Sequence, residues 1–174
     1  MSFHGGIIGV VLGLAYFAYR TKTPLLMVGD EVAITIPIGI GLGRIANFLN
    51  NELVGYAGYT GPLGMFKDAD FHFPSPLLES FLEGFILLAI LIYLRSRSSA
   101  RGILSGAFLS LYGLMRIFVE AYFRLPDPQV GLIYGLSMGQ ILSIPLVLIG
   151  ASIIVYASTR SKSSSVTSPP LATH

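Results

Sequence analysis

Five apolar stretches, at roughly 3–19, 31–49, 76–94, 102–122 and 136–157, take up most of this 174-residue chain. Each is close to the roughly 20 residues that an α-helix needs to cross the hydrocarbon core of a bilayer. A backbone in lipid has to satisfy its own polar groups, so the pattern restricts the fold to an all-α, polytopic transmembrane bundle of about five spans. Composition agrees, with 53% of residues hydrophobic and 11% charged, where a soluble domain has about a quarter charged. Five spans leave no room for a separate soluble domain. Residues 1–157 therefore read as one transmembrane unit, and 158–174, rich in Ser with Pro169 and Pro170, as a disordered cytoplasmic tail.

The charges report orientation. Basic residues collect at Arg20 and Lys22, at Arg95, Arg97 and Arg101, and at Arg160 and Lys162, which assigns these connections to the cytoplasm. The loops at about 50–75 and 123–135 set Lys67 and Arg124 against Glu52, Asp68, Asp70 and Asp127, and fit the outer side. The amino end then lies outside and the carboxyl end inside. An apolar segment starting at the third residue, with no basic flank before it, has little to drive its amino end across, which suggests an upstream span. It makes an unconvincing signal peptide, since its basic residues follow the apolar run and no small-residue cleavage site precedes a soluble body. The chain has no cysteine, which excludes a disulfide framework, a thiolate nucleophile and a Cys-ligated metal. A scattered net charge of +2 offers no basic face for nucleic acid.

A charge at the centre of a span costs about 2.5–3.5 kcal/mol on the insertion scale, so each one is a functional candidate. Arg44 and Asn47 share a helix face near the end of the second stretch, in GLGRIANFLNNELVG, with Glu52 shortly beyond. In the fourth, LYGLMRIFVEAYFRLPD, Tyr112, Arg116 and Glu120 recur at i, i+4 and i+8 on one face. The third opens with Ser75, Pro76, Glu79 and Glu83, the fifth carries Gln140 and Ser143, and His4 begins the first. Structural explanations compete at each position. Arg116 and Glu120 make sense as an ion pair locking helices, Arg44 as a snorkelling side chain, Glu79 and Glu83 as solvated or arginine-paired, and Gln140 and Ser143 as helix glue. Taken together, two intramembrane arginines with amides and carboxylates in the outward halves of their spans suggest an anionic ligand reached from the outer leaflet. A phospholipid headgroup fits; a transporter for an organic anion would need a similar inventory, but the internal repeats expected of one are not evident.

The segment GRIANFLNNELVG strongly resembles the signature of bacterial prolipoprotein diacylglyceryl transferases, typically GRxGNFxNxExxG. The same family opens an earlier span with SFHGG, as at Ser2–Gly6. It then carries YGxxRxxxE, as at Tyr112 to Glu120, a Pro-Asp turn, as at Pro126 and Asp127, and MGQxLSxP, as at Met138 to Pro145. The resemblance covers about residues 2–150 in the family's order. It implies a multi-pass enzyme of the bacterial plasma (inner) membrane that transfers the diacylglyceryl group of phosphatidylglycerol to the lipobox cysteine of a prolipoprotein signal peptide. A thioether forms and glycerol phosphate leaves. It also implies no metal or redox cofactor, with phosphatidylglycerol, prolipoproteins and membrane lipids as partners.

Carried over residue by residue, the resemblance makes His4, Tyr112, Arg116 and Arg44 the catalytic candidates, and Arg44, Asn47, Glu52, Gly55, Arg116 and Glu120 the residues that bind phosphatidylglycerol. Arg44 and Arg116 would hold the phosphate diester and stabilise the charge growing on the leaving group. Asn47 would orient lipid oxygens, and Glu120 would hold Arg116 in its pose. A thiol of pKa about 8.5 needs a base or a positive field. His4 is the best base by intrinsic pKa, Tyr112 competes with it, and activation by the arginines alone is a third route. His72 has no counterpart in the family pattern.

The chain departs from that pattern in several places. The family has about seven spans, with roughly a hundred residues before SFHGG, so this chain reads as lacking two amino-terminal spans. The alternative function is accordingly that of an inactive fragment or paralogue binding anionic lipid or signal peptide without turnover. Where the family shows HPSQLYE, this chain has FPSPLLE from Phe73 to Glu79. Where it shows ExxRxPD, one residue is added between Glu120 and Arg124. An added residue turns a helical arginine by about 100 degrees, so Arg124 matches only if a bulge absorbs it.

Overall fold

The computed structural model describes residues 3–124, 132–133 and 135–166, with side chains from 9 to 124 and from 135 to 160. Helix α1 (Phe3–Thr21) is followed by α2 (Leu25–Leu49) and a small hairpin of β1 (Met65–Lys67) and β2 (Asp70–His72). A composite helix comes next, made of α3 (Ser75–Glu79), a π-helical segment (Ser80–Ile86) and α4 (Leu87–Arg97). Then come α5 (Ile103–Tyr122), the short pair β3 (Leu132–Ile133) and β4 (Leu136–Ser137), and α6 (Met138–Val166). Among the described residues four helices are long and apolar enough to cross a membrane: α2, Ser75–Arg97, α5, and α6 as far as Arg160. The helical, polytopic bundle expected from the sequence is what forms.

Two boundaries differ from the sequence reading. The second helix starts at Leu25 rather than 31, directly after Pro24, because the two acids that look like a polar break are partnered far along the chain. Buried Asp30 accepts hydrogen bonds from the Gly102 and Ser105 amides at 2.6 and 2.7 Å and from the Ser105 hydroxyl at 2.8 Å. It thereby caps the start of α5 from another helix, where Gly102 itself has no side chain to do so. Glu31 forms a two-pronged pair with Arg95 at 2.9 and 3.1 Å. At the other end, α6 runs to Val166, so residues 158–166, expected in a disordered tail, are helical. Thr159 donates to the Tyr156 carbonyl and Arg160 to the Tyr156 hydroxyl, which ties the extra turn to the span. Residues 167–174, and the Pro126–Asp127 turn, lie outside the described residues.

The core joins α2, α4 and α5 through Ala33, Leu87, Leu91, Leu104, Ala107 and Phe108. Helices α5 and α6 approach along small residues: a Cβ at Gly106 would lie 2.7 Å from the Gly150 carbonyl oxygen. The hairpin pairs Met65 with His72 and Lys67 with Asp70, closing through Asp68 and Ala69 at φ 51° and 65°. Both turn residues are left-handed, as a two-residue type I′ turn demands. Phe73 stacks on Tyr56 at 5.2 Å and meets Tyr59 and Phe123 at 5.3 and 5.2 Å, so the aromatic residue that replaces the family's histidine fills a cage of rings. Pro76, in place of the family's glutamine, sits in the first turn of α3, where its missing N–H costs nothing.

Candidate active site

The site begins where α2 meets the composite helix. A Cβ at Gly84 would lie 2.7 Å from the Gly41 Cα, so the two backbones touch with no side chain between them. The Ser80 hydroxyl donates to the Gly41 carbonyl at 2.9 Å beside this crossing. Arg44 lies one helical turn beyond Gly41, and Glu79 and Glu83 flank Ser80 on the other helix. Residues 80–86 are wound as a π-helix, a form that turns a side chain away from α-helical register and recurs at functional sites. The close crossing and the altered winding together bring Glu79 and Glu83, both 0% exposed, under Arg44.

Three arginines and three glutamates then meet. Glu79 Oε2 lies 2.9 Å from Arg44 Nε and 2.7 Å from Arg116 Nη1, and Glu79 Oε1 is 3.5 Å from Arg124 Nη1. Glu83 is held more loosely, 3.5 Å from Arg44 Nη2 and 3.8 Å from Arg116 Nη1. Glu120 Oε1 pairs with Arg116 Nη2 at 2.8 Å and with Arg124 Nη1 at 3.5 Å. The formal charges cancel, but directed hydrogen bonds do not keep pace: Arg44 Nε, Arg124 Nη1, Glu79 Oε1 and Glu83 Oε1 are buried without one. The carboxylates Glu79 and Glu83 are fully covered, whereas the arginine side chains keep 13–15% of their surface. An approaching anion meets guanidinium groups rather than carboxylates.

Arg124 reaches this cluster because α5 ends before it. Phe123 and Arg124 both donate their amides to the Val119 carbonyl, at 2.9 and 3.2 Å. The second bond spans five residues, the wide turn that absorbs the added residue and restores the arginine's aim. Its backbone then pairs with Gly55. A Cβ at Gly55 would overlap the Phe123 carbonyl and stand 2.8 Å from that of Phe73, so a glycine is what lets the outer loop lie against Arg124. Past the end of the span, burial and then the like charge of Arg116 lower the Arg124 pKa.

Glu120 is fixed from the other side by α6. Its Oε2 accepts the Ser137 hydroxyl at 2.6 Å. Ser137 and Gln140 form a reciprocal cap on α6, with the Ser137 amide donating to Gln140 Oε1 at 3.0 Å and the Gln140 amide to Ser137 Oγ at 3.2 Å. A Cβ at Gly139 would overlap the Glu120 carboxylate. The MGQ segment is thus a helix start shaped around a carboxylate. Gln140 caps its own helix, and Ser143 bonds to the Gly139 carbonyl one turn back, so among the described residues neither bridges two helices by its side chain.

Of the residues singled out from sequence, Arg44, Arg116 and Glu120 come together. Asn47 lies half-buried one turn beyond Arg44, and its carbonyl accepts the Glu52 amide at 2.9 Å. The Glu52 side chain is exposed and outside the cluster. Gly55 acts through packing against Phe73 and Phe123. Tyr112 stacks on Phe108 at 5.8 Å and packs against the core. His4 is in the first turn of α1, but its side chain lies outside the described residues. Glu79 and Glu83 are the residues whose importance the sequence understated; their signal was two acids four apart in an apolar span, with the third of three arginines at 124. His72, without a family counterpart, is buried and bonded through Nδ1 to the Gly55 carbonyl at 2.9 Å.

With this geometry in hand, comparison with known proteins is informative. A family model described as prolipoprotein diacylglyceryl transferase matches residues 1–156. Among similar curated proteins is the phosphatidylglycerol–prolipoprotein diacylglyceryl transferase of Hydrogenovibrio crunogenus, 41% identical over 90% of this chain and 61% of the relative. The proteins of that name from Proteus mirabilis and Rickettsia bellii are 42% and 44% identical, over 93% and 92% of this chain and 63% of each relative. The chain spans about three fifths of the length of these relatives.

Proposed function

Because the chain belongs to the prolipoprotein diacylglyceryl transferase family, we propose that it transfers the diacylglyceryl group of phosphatidylglycerol to the lipobox cysteine of prolipoproteins in a bacterial plasma (inner) membrane. The observation that carries this reading is the gathering of Arg44, Arg116 and Arg124 at one end of the bundle, partly exposed above covered carboxylates. A lipid phosphodiester offers such a set two non-bridging oxygens that share one negative charge. Arg44 and Arg116 hold it and stabilise the charge that develops on the departing phosphate, in a low-dielectric setting where such donors count most. Asn47, one turn from Arg44, orients lipid oxygens. Glu120, clamped by Ser137, holds Arg116 and Arg124. On sequence grounds His4 and Tyr112 compete for the thiol proton.

The test is transfer of labelled diacylglyceryl from phosphatidylglycerol to a lipobox peptide in membranes that contain this chain and lack any other transferase. Transfer should be seen, and Arg44→Lys or Arg116→Lys should each lower it about 100-fold, because an ammonium cannot reproduce the fork of a guanidinium. Phosphatidylglycerol bound without transfer would replace this reading with that of a lipid-binding protein. Full transfer by both lysine variants would remove the arginines from the mechanism.

A further inference from the structure

We propose that Glu83 accepts the proton of the substrate thiol, an assignment that rests on the transfer reaction proposed above. Glu83 is fully buried, yet its ion pairs are longer than those of its neighbour, at 3.5 and 3.8 Å against 2.9 and 2.7 Å for Glu79. Among the described residues its Oε1, like that of Glu79, has no hydrogen-bond donor. A buried carboxylate whose nearest guanidinium nitrogen is 3.5 Å away is an expensive ground state, and a group whose task was only to neutralise arginines would close to the 2.7–2.9 Å of Glu79. The fold nevertheless devotes a π-helical segment and a Gly41–Gly84 backbone contact to placing it between the two arginines that face the phosphate. Among the described residues, the charged and titratable groups around it are Arg44 on α2, Glu79 on α3, and Tyr112 and Arg116 on α5.

Charge balance points to the same residue. Among the described residues the cluster's formal charges, three guanidinium and three carboxylate groups, cancel before substrate arrives. During transfer the S–H bond breaks and its proton passes to Glu83 Oε1. The sulfur lone pair forms the new bond to the glycerol carbon, and that carbon's bond to the phosphate oxygen breaks. The bonding pair stays on the oxygen, and glycerol phosphate leaves as a monoester with nearly twice the negative charge of the diester. A proton on Glu83 offsets that added charge where it appears, and frees Arg44 and Arg116 to turn from the carboxylate to the phosphate. The proton returns to water after the product has left.

A pair of lipobox peptides that differ only in cysteine or selenocysteine separates this role from a positioning one. A selenol is already ionised at neutral pH and needs no acceptor. Transfer is measured with the full chain in membranes under reducing conditions. Glu83→Gln should lose about 100-fold on the cysteine peptide and less than about 10-fold on the selenocysteine peptide. The ratio of the two rates in one preparation does not depend on how much protein has folded. Glu79→Gln, which disturbs arginine placement alone, should lose equally on both. If Glu83→Gln does not accumulate, Glu83→Asp, with its carboxylate withdrawn by one methylene, should show the same bias to a smaller degree. Equal losses on both peptides, or selenocysteine rescue of His4→Gln or Tyr112→Phe in place of Glu83→Gln, would overturn the assignment. Activity of the unaltered chain with no change in Glu83→Gln also removes Glu83 alone, whereas no transfer by the unaltered chain to either peptide removes the transferase reading together with it.

Discussion

A methyl group added at Gly84 should damage both the bundle and the site, while the same group at Gly39 should do neither. At Gly84 the new Cβ would lie 2.7 Å from the Gly41 Cα, 3.3 Å from the Gly41 nitrogen and 3.4 Å from the Pro37 carbonyl oxygen. Carbon atoms in contact sit at about 3.5–4.0 Å, so the helices must part by about 1 Å. All three contacts are with backbone, which cannot swing aside. Overpacking of this kind costs about 1–3 kcal/mol, against about 1 kcal/mol gained from replacing glycine by alanine in a helix. The net expected effect is a loss of about 0–2 kcal/mol in stability. The effect on the site is larger in proportion, because the 3.5 Å pair between Arg44 and Glu83 depends on this crossing and would open past ion-pair distance. At Gly39 nothing lies within 4 Å of the added Cβ, so only the helix-propensity gain remains. Thermal unfolding in detergent should place Gly84→Ala below Gly39→Ala, and labelled diacylglyceryl transfer should fall about tenfold or more for Gly84→Ala alone. Equal melting temperatures and equal transfer in the two variants would refute the claim that the Gly41–Gly84 contact sets the geometry of the cluster.

Three further outcomes follow from local geometry. Ala69 holds a left-handed turn position at φ 65°, so Ala69→Gly should stabilise the hairpin by about 0.5–1 kcal/mol, seen as slower proteolysis of the loop from 55 to 72. Asp30→Ala removes the acceptor for two amides and a hydroxyl at the start of α5 and should cost about 1–3 kcal/mol in thermal unfolding, with transfer per folded molecule unchanged because this cap lies near the opposite ends of α2 and α5 from the arginines. Ser137→Ala should cost more than Gln140→Ala, about 1–2 kcal/mol against about 0.5–1, since Ser137 both caps α6 and bonds Glu120; equal losses would show that the Glu120 contact contributes nothing.

What could be read in advance was whatever depends on neighbours within a turn or two. The spans follow from runs of apolar residues, and Arg44 and Asn47, or Tyr112, Arg116 and Glu120, fall on common faces because a helix repeats every few residues. The partners of a charge are a different matter. Asp30 looks like a helix boundary until its bonds to Gly102 and Ser105 are seen, 72 and 75 positions away. Glu79 and Glu83 stand at the head of a span, where solvation and ion pairing are equally plausible from sequence, and only the packing of α2 and α5 decides between them. Arg124 turned on a single added residue, and the wide turn onto Val119 that absorbs it leaves no local signature. The π-helical winding at Ser80–Ile86, where the backbones of Gly41 and Gly84 meet, was equally silent. Gln140 shows the reverse case. Its S-x-x-Q cap is a local motif, legible once Ser137 is seen as the helix start.

The neutral cluster also has a consequence for how the protein is made. A ribosome delivers Arg44 to the membrane well before the acids that neutralise it: Glu83 follows 39 positions later, and Arg116 comes 37 positions after Glu79. At about 5–20 residues per second, each charge waits on the order of two to eight seconds for its partner. In that interval α2 carries an unmatched guanidinium near its end, at a cost below the roughly 2.5–3.5 kcal/mol of a charge at a helix centre. Helix α2 and the composite helix therefore gain stability in lipid by pairing, and a second wait begins when Glu79 and Glu83 arrive with one arginine between them. The arrangement that readies the site for an anion thus makes biogenesis stepwise, with each new span admitted by the charge left open by the one before.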